Sequence, residues 1–202
     1  MRSPSQMPCR AALFVLLVVV LVACGSGGAT FDPSSPCTSD GRRAGAYPSV
    51  EGLVPRMLDG RGPNGLDSGR SCTDAALGTL RSHGVSEIRF AGAVWERGKS
   101  SGTTLAIFES PDPPLTAAWL GEFYEAGARA GRHTEGIETK PVTIDGAPGF
   151  RLDTLNDDSY QTVIVWPRGS RVAVVLVGSS VREVTSRAAH DGAVNAAIQA
   201  WS

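Results

Sequence analysis

Hydrophobic positions change their spacing several times along this chain, and each change marks a predicted element. Ala11–Val22 is an unbroken apolar run. Gly25–Pro36 then offers little to bury beyond Phe31, and the span from Cys37 to Cys72 is punctuated by Gly and Pro. Ser71 or Ser68 caps a predicted helix to about Ser82, with Ala76, Leu77 and Leu80 on one side and Gly84 as the stop. Glu87–Arg97 reads as a strand whose alternation breaks near Gly92, which predicts a bulge. After a turn at Gly98–Gly102, Thr103–Phe108 is its partner, with Leu105 and Ile107 on one face. Pro111–Pro114 leads into a helix from about Leu115 to Ala130, striped by Leu115, Trp119 and Phe123, widened by Leu120 and Ala126, and stopped by Gly131.

Four further strands are expected. Thr139–Ile144 and Phe150–Thr154 flank a turn at Gly146-Ala147-Pro148-Gly149, and Asn156–Ser159 turns into Tyr160–Trp166. Pro167–Ser170 turns again, and Arg171–Val177 is apolar at almost every position, as in a central strand covered on both faces. Val194, Ile198 and Trp201 stand at helical spacing near the end, while Asp191-Gly192 argues for a break in that helix. The sum is an α+β domain with a mostly antiparallel sheet of about six strands, in the order α-β-β-α-β-β-β-β-α. That order and spacing resemble the PsbP/Mog1-like α+β fold, to which small envelope lipoproteins of the LpqN type belong. The resemblance implies a sheet backed by helices, with binding or adaptor roles.

The amino terminus predicts an address. Arg2 and Arg10 precede the apolar run, which at about a dozen residues is shorter than the ~20 needed to span hydrocarbon as a helix. A positive start, a short apolar middle and small residues at the end describe a secretory signal. Leu21-Val22-Ala23-Cys24 resembles the lipobox of bacterial lipoproteins at all four positions. That resemblance implies cleavage before Cys24, a diacylglycerol on its thiol, and a protein anchored in the membrane by lipid on its extracytoplasmic side. The alternatives are an ordinary secretory signal with a chance cysteine, or an uncleaved anchor. The expected organisation is a signal peptide over 1–23, a lipidated flexible tether over 24–36, and one domain over 37–202. Cys37 and Cys72 remain as an even pair in an oxidising compartment and are predicted to form a disulfide.

Charge and motifs narrow the chemistry. The formal net charge of −1 becomes −3 once Arg2 and Arg10 leave, with 17 basic against 20 acidic groups, so nothing predicts nucleic-acid binding. No Gly-x-Ser-x-Gly elbow or phosphate-binding Gly-x-x-x-x-Gly-Lys loop occurs. His83, His133 and His190 form no metal-ligand pairing, and the Asp153-Asn156-Asp157-Asp158 cluster reads as a turn, so no metal or cofactor is expected. Alternation places Arg151 and Asp153 on one strand face. They either sit on an ordinary solvated face or line a groove with Tyr160, Thr162 and Trp166, bordered by Trp95 and Glu96. Two function classes follow. The leading one is a non-catalytic envelope protein binding a lipid, a small molecule or a protein partner. Its lipid version predicts an apolar pocket between helix 115–130 and the sheet. The competing one is an exported hydrolase using two of Glu96, Glu122, Asp153 and Asp157, which requires two carboxylates in one cleft.

Overall fold

In the computed structural model, which describes residues 31–184 and 186–202, the chain runs β1 (Gly41–Arg43), α1 (Pro48–Glu51), β2 (Gly65–Ser71), α2 (Asp74–Leu77), a 3₁₀ turn (Gly78–His83), β3 (Ile88–Glu96) and β4 (Gly102–Glu109). It continues with α3 (Ala117–Ala130), β5 (Thr134–Ile144), β6 (Ala147–Asn156), β7 (Ser159–Arg168), β8 (Arg171–Ser180) and α4 (Arg187–Gln199). The strands form one antiparallel sheet in the order β1-β2-β3-β4-β8-β7-β6-β5. The expected signal segment, the lipobox with Cys24, and residues 25–30 of the expected tether lie outside the described residues. No helix of the described residues is long and apolar enough to cross a membrane.

Helices cover both faces of the sheet, so the strands at its centre are apolar throughout. Along β8, Val172 and Val174 bury toward α3, whereas Ala173, Val175 and Val177 bury toward α4. The same division sends Val163 and Val165 of β7 one way and Ile164 and Trp166 the other. Each such valine or isoleucine contributes roughly 1.5–3 kcal/mol through burial, and the two layers together hold the sandwich. The central position expected for Arg171–Val177 is observed. Two-sided burial also explains β3. Its register with β4 runs without a bulge from Arg89↔Glu109 to Glu96↔Gly102. The break in alternation at Gly92 arises because Phe90 packs on the α3 side and Ala91, Ala93 and Trp95 on the α4 side.

Eight strands replace the expected six, because the Gly/Pro-rich span between the cysteines folds into β1, α1 and β2. β2 is selected by close approach rather than by apolar alternation. A Cβ on Gly69 would lie 2.6 Å from Cβ of Arg42 and 2.8 Å from the Phe90 ring. Ser68 and Ser71 belong to this strand, and the cap of α2 is Thr73, whose Oγ1 accepts from the Ala76 amide. Other boundaries also move. α3 buries Leu120, Gly121, Tyr124 and Ala128, while Trp119 and Phe123 flank that face, half-buried, with Trp119 stacked on the His83 ring at 4.7 Å. α4 runs unbroken through Asp191-Gly192, because burial of His190, Val194 and Ala197 outweighs the ~1 kcal/mol helical cost of a glycine. β5 begins at Thr134, and its turn to β6 is Asp145-Gly146, with φ of 50° and 79°.

Cys37 and Cys72 form the expected disulfide, with Cα atoms 6.0 Å apart. Chain contacts begin before it. Arg70, 3% exposed, donates to the carbonyls of Asp32, Pro33, Ser35 and Pro36 and to Ser35 Oγ, and its guanidinium lies 5.5 Å from the Phe31 ring. Residues 31–36, expected as part of a flexible tether, therefore form a strap seated on the domain. Closing a loop with a sequence separation of 35 stabilises by about 4 kcal/mol in the chain-entropy model. A Cys37→Ser/Cys72→Ser variant is expected to lose that much in urea unfolding, and a loss below about 1 kcal/mol would reject the entropic account.

Candidate functional site

Where the first turn of α4 crosses β6 and β7, a buried polar network forms the floor of a cleft. The hairpin registers assemble it. Glu138 and Lys140 of β5 face Asp153 and Arg151 of β6, and Asp153 in turn faces Thr162 of β7. Asp153 is 3% exposed, and both of its oxygens have partners. Oδ1 accepts from Thr162 Oγ1 at 2.6 Å and pairs with Arg187 Nη2 at 2.5 Å. Oδ2 accepts from Arg151 Nε at 2.8 Å and pairs with Lys140 Nζ at 3.5 Å. Asp191 Oδ1 takes Arg151 Nη2 at 2.5 Å and lies 3.5 Å from Arg187 Nε. Burial pushes the Asp153 carboxyl upward, but hydrogen bonds from Arg151 and Thr162 and the charges of Arg151 and Arg187 outweigh it, so its pKa falls below the ordinary value.

Behind this carboxylate the proton directions are fixed by elimination. Thr162 spends its one proton on Asp153, which accepts only, so Thr162 Oγ1 must accept from His190 Nε2–H at 2.8 Å. Burial keeps the imidazole neutral, so Nδ1 accepts from Ser179 Oγ–H at 2.8 Å. The relay Ser179→His190→Thr162→Asp153 is buried at every member. Burial, then the nearby Arg187 charge, lowers the His190 pKa to about 4. The sign for stability follows. Between about pH 4 and 6.5 the unfolded chain binds the proton that the folded chain refuses, so stability falls as the pH drops through that window. The full loss is about 3 kcal/mol, and the contribution is intact above the unfolded pKa. Unfolding free energies measured from pH 7 to 4 are expected to fall accordingly, with a smaller fall in His190→Asn; parallel profiles would reject the assignment.

In front of the carboxylate lies a cavity of about 430 Å³, bordered by Glu138, Lys140, Arg151, Tyr160, Arg187 and Asp191. The Arg187 guanidinium lies 5.6 Å from the Tyr160 ring centre. Leu155 is the one aliphatic side chain in this lining, among the described residues.

Of the residues expected in a groove, Arg151, Asp153 and Tyr160 line this cavity, and Thr162 stands directly behind it. Trp166 occupies the same sheet face but is buried against Trp201 of the core. Trp95 shares a cross-strand row with Asp153, through Thr103, Val177 and Thr162, yet it lies four strands away, about 19 Å at ordinary strand spacing. It is fully buried and donates Nε1–H to the Arg61 carbonyl. Glu96 lies in the neighbouring row at the same remove. Neither Trp95 nor Trp166 therefore borders the cleft, and Glu96 does not reach it. The carboxylates proposed for hydrolysis do not converge either. Glu122 lies on α3, across the sheet, against His83 at 2.7 Å, and Asp157 sits in the β6–β7 turn beside His133. Lys140, Glu138, Arg187, Asp191, His190 and Ser179 are the site residues that the sequence pattern did not single out. An Asp-Gly pair at 145–146 was a readable hairpin signal, and its two-residue turn sets Lys140 opposite Arg151.

No protein-family profile matches the chain. No curated protein matches it either. Among solved structures, the chain is similar to PA94, a protein of unknown function from Pseudomonas aeruginosa, at 16% identity and a TM-score of 0.36, over 55% of this chain and 79% of that one. It is also similar to the cyanobacterial PsbP protein, CyanoP, from Synechocystis sp. PCC 6803, at 13% identity and a TM-score of 0.37, over 86% of this chain and 96% of that one. At scores this low, these likenesses assign no activity.

Proposed function

We propose that this chain is a lipid-anchored extracytoplasmic protein that binds a small polar ligand, or a polar group of a partner, in the cleft beside α4, without catalysing a reaction on it. The observation that carries this reading is the cleft itself, an open cavity whose charged walls are held in place by a buried network. A binding site needs such pre-set side chains, since their ordering is then complete before the ligand arrives. Asp153 supports the non-catalytic side. It is hydrogen-bonded by Arg151 and Thr162, ion-paired to Arg187 and Lys140, and low in pKa, so it carries no proton to give.

The lipid version of the reading has no support at α3. There Leu120, Tyr124 and Ala128 pack with Leu152, Val163 and Val165, so side chains occupy the place where an acyl chain was expected. The cleft lining is polar, which disfavours an acyl chain there too. The address rests on the Leu21–Cys24 tetrad, where two acyl chains suffice for stable anchoring.

Two measurements test the two halves. Cys24→Ala is expected to lose both membrane retention and incorporation of a labelled fatty acid, and unchanged values for both would reject the anchor. For the cleft, the anchored protein and a Leu155→Trp variant are purified in parallel, and the small molecules that accompany each are compared by mass spectrometry. A compound retained by the native chain and absent from the variant is expected; identical profiles would reject the cleft as the binding site.

A further inference from the structure

Three cationic head groups share two carboxylates at the floor of the cleft, and the arithmetic of their N–H groups is unbalanced. Arg151 uses Nε on Asp153 and Nη2 on Asp191. Arg187 uses Nη2 on Asp153, with Nε at 3.5 Å from Asp191. In both, Nη1 makes no hydrogen bond among the described residues, and both residues border the cavity. Lys140 has three N–H donors, and its contact with Asp153 at 3.5 Å is its one ion pair among the described residues. Each Asp153 oxygen accepts one hydrogen bond and meets one further cation. The floor is therefore rich in unspent donors: three cations stand over Asp153 and Asp191, and Glu138 brings the lining to charge balance.

Such a floor is costly to assemble, because like charges repel, and here Asp153 is the buried counter-charge that holds the three cations within reach of one point. Planar guanidinium forks match the paired oxygens of a carboxylate or phosphate, and a lysine adds a mobile point charge. The first turn of α4, which brings Arg187 and Asp191, adds the positive end of the helix dipole. Glu138, two residues from Lys140 on β5 and paired in register with Asp153, also lines the cavity and opposes an anion.

We infer that the cleft takes an oxyanion, the carboxylate or phosphate group of its ligand, seated on the unspent donors of Lys140, Arg151 and Arg187. This inference rests on the cleft being a binding site. An oxyanion supplies acceptors for these donors, whereas a cation would meet three cationic head groups and only the remaining oxygens of Glu138 and Asp191. Glu138 then acts as a filter that weakens anions of higher charge.

The test uses the full-length chain in non-ionic detergent, titrated by calorimetry with inorganic phosphate and, separately, with acetate, against chloride at equal ionic strength. Saturable binding of one of the two above the chloride control is expected, and the arm that responds identifies the oxyanion. Lys140→Ala, which removes an exposed side chain, is expected to weaken that binding about tenfold, and Glu138→Gln to strengthen it two- to threefold. Both substitutions lie on the edge strand, and their unfolding curves confirm that they fold. Absence of saturable binding in both arms, or affinities that neither substitution moves, overturns the inference. If both arms fail while Leu155→Trp still excludes a co-purifying compound, the oxyanion falls and the cleft stands. If Leu155→Trp also changes nothing, both fall.

Discussion

Replacing Asp153 by Asn is expected to lower the unfolding free energy by about 3–5 kcal/mol, the largest effect of any single change in the cleft. The substitution keeps the shape and removes the charge. Arg151, whose side chain is 13% exposed, then keeps its ion pair with Asp191 but loses the more buried of its two counter-charges, and Lys140 and Arg187 lose theirs or share Asp191. An amide also turns two donors toward groups that are themselves donors, so at least one contact becomes repulsive. Thr162 can still donate to the amide oxygen, which is why the loss falls short of full collapse. Equilibrium urea unfolding at pH 7 measures it. The pH dependence supplies a second readout. Because the Asp153 pKa is lowered in the folded chain, its contribution is complete above the ordinary carboxylate range and disappears as the pH falls through the folded value. The variant lacks that acid-side component. A loss below about 1 kcal/mol would mean that the cations find solvent instead, and that the network does not hold the floor of the cleft.

The same network shows how far the sequence could be read. Alternation alone put Arg151, Asp153, Tyr160, Thr162 and Trp166 on one face, and the registers agree. Alternation reports faces, however, and is silent on which part of a face a helix covers. Trp166 and Tyr160 lie on one face of one strand, yet Trp166 packs under Trp201 near the end of α4 while Tyr160 stands by the open cleft at its beginning. That difference is set by the packing of α4, and α4 in turn was read as broken at Gly192, where burial of His190 and Val194 overrides propensity. Trp95 and Glu96 failed for another reason. Chain order does not give strand order, and β8 sits between β4 and β7, placing β3 four strands from β6. β1 and β2 escaped notice because their burial rests on Arg70, Ser68 and Gly69, a polar strand with no apolar period to detect. The disulfide was legible because it depended on count and compartment rather than on packing.

Arg70→Met is the second large effect expected, at about 3 kcal/mol, and it links the fold to the proposed anchor. The two terminal nitrogens of the guanidinium donate to four carbonyls and one hydroxyl of the strap, while Nε–H is buried without a partner, and a single ammonium cannot span that set. Hydrogen bonds to a charged group contribute roughly 1.5–3 kcal/mol each, but these share one side chain and do not add, and the freed carbonyls regain water. What is lost is the ordering of residues 31–36, together with the packing of Phe31 on the guanidinium. The disulfide at Cys37 confines the release to the strap, since everything after it stays stapled to β2. Limited proteolysis separates this from general unfolding. The native chain is expected to resist cleavage between 31 and 36, Arg70→Met to be cut there while β2–β8 stay intact, and Arg70→Lys to behave like Met. In a chain anchored through Cys24, that cut frees the domain into the supernatant, so membrane fractionation after brief protease treatment reads the same event. Equal resistance of Arg70→Met and the native chain would show that the strap is held by something other than this one buried cation.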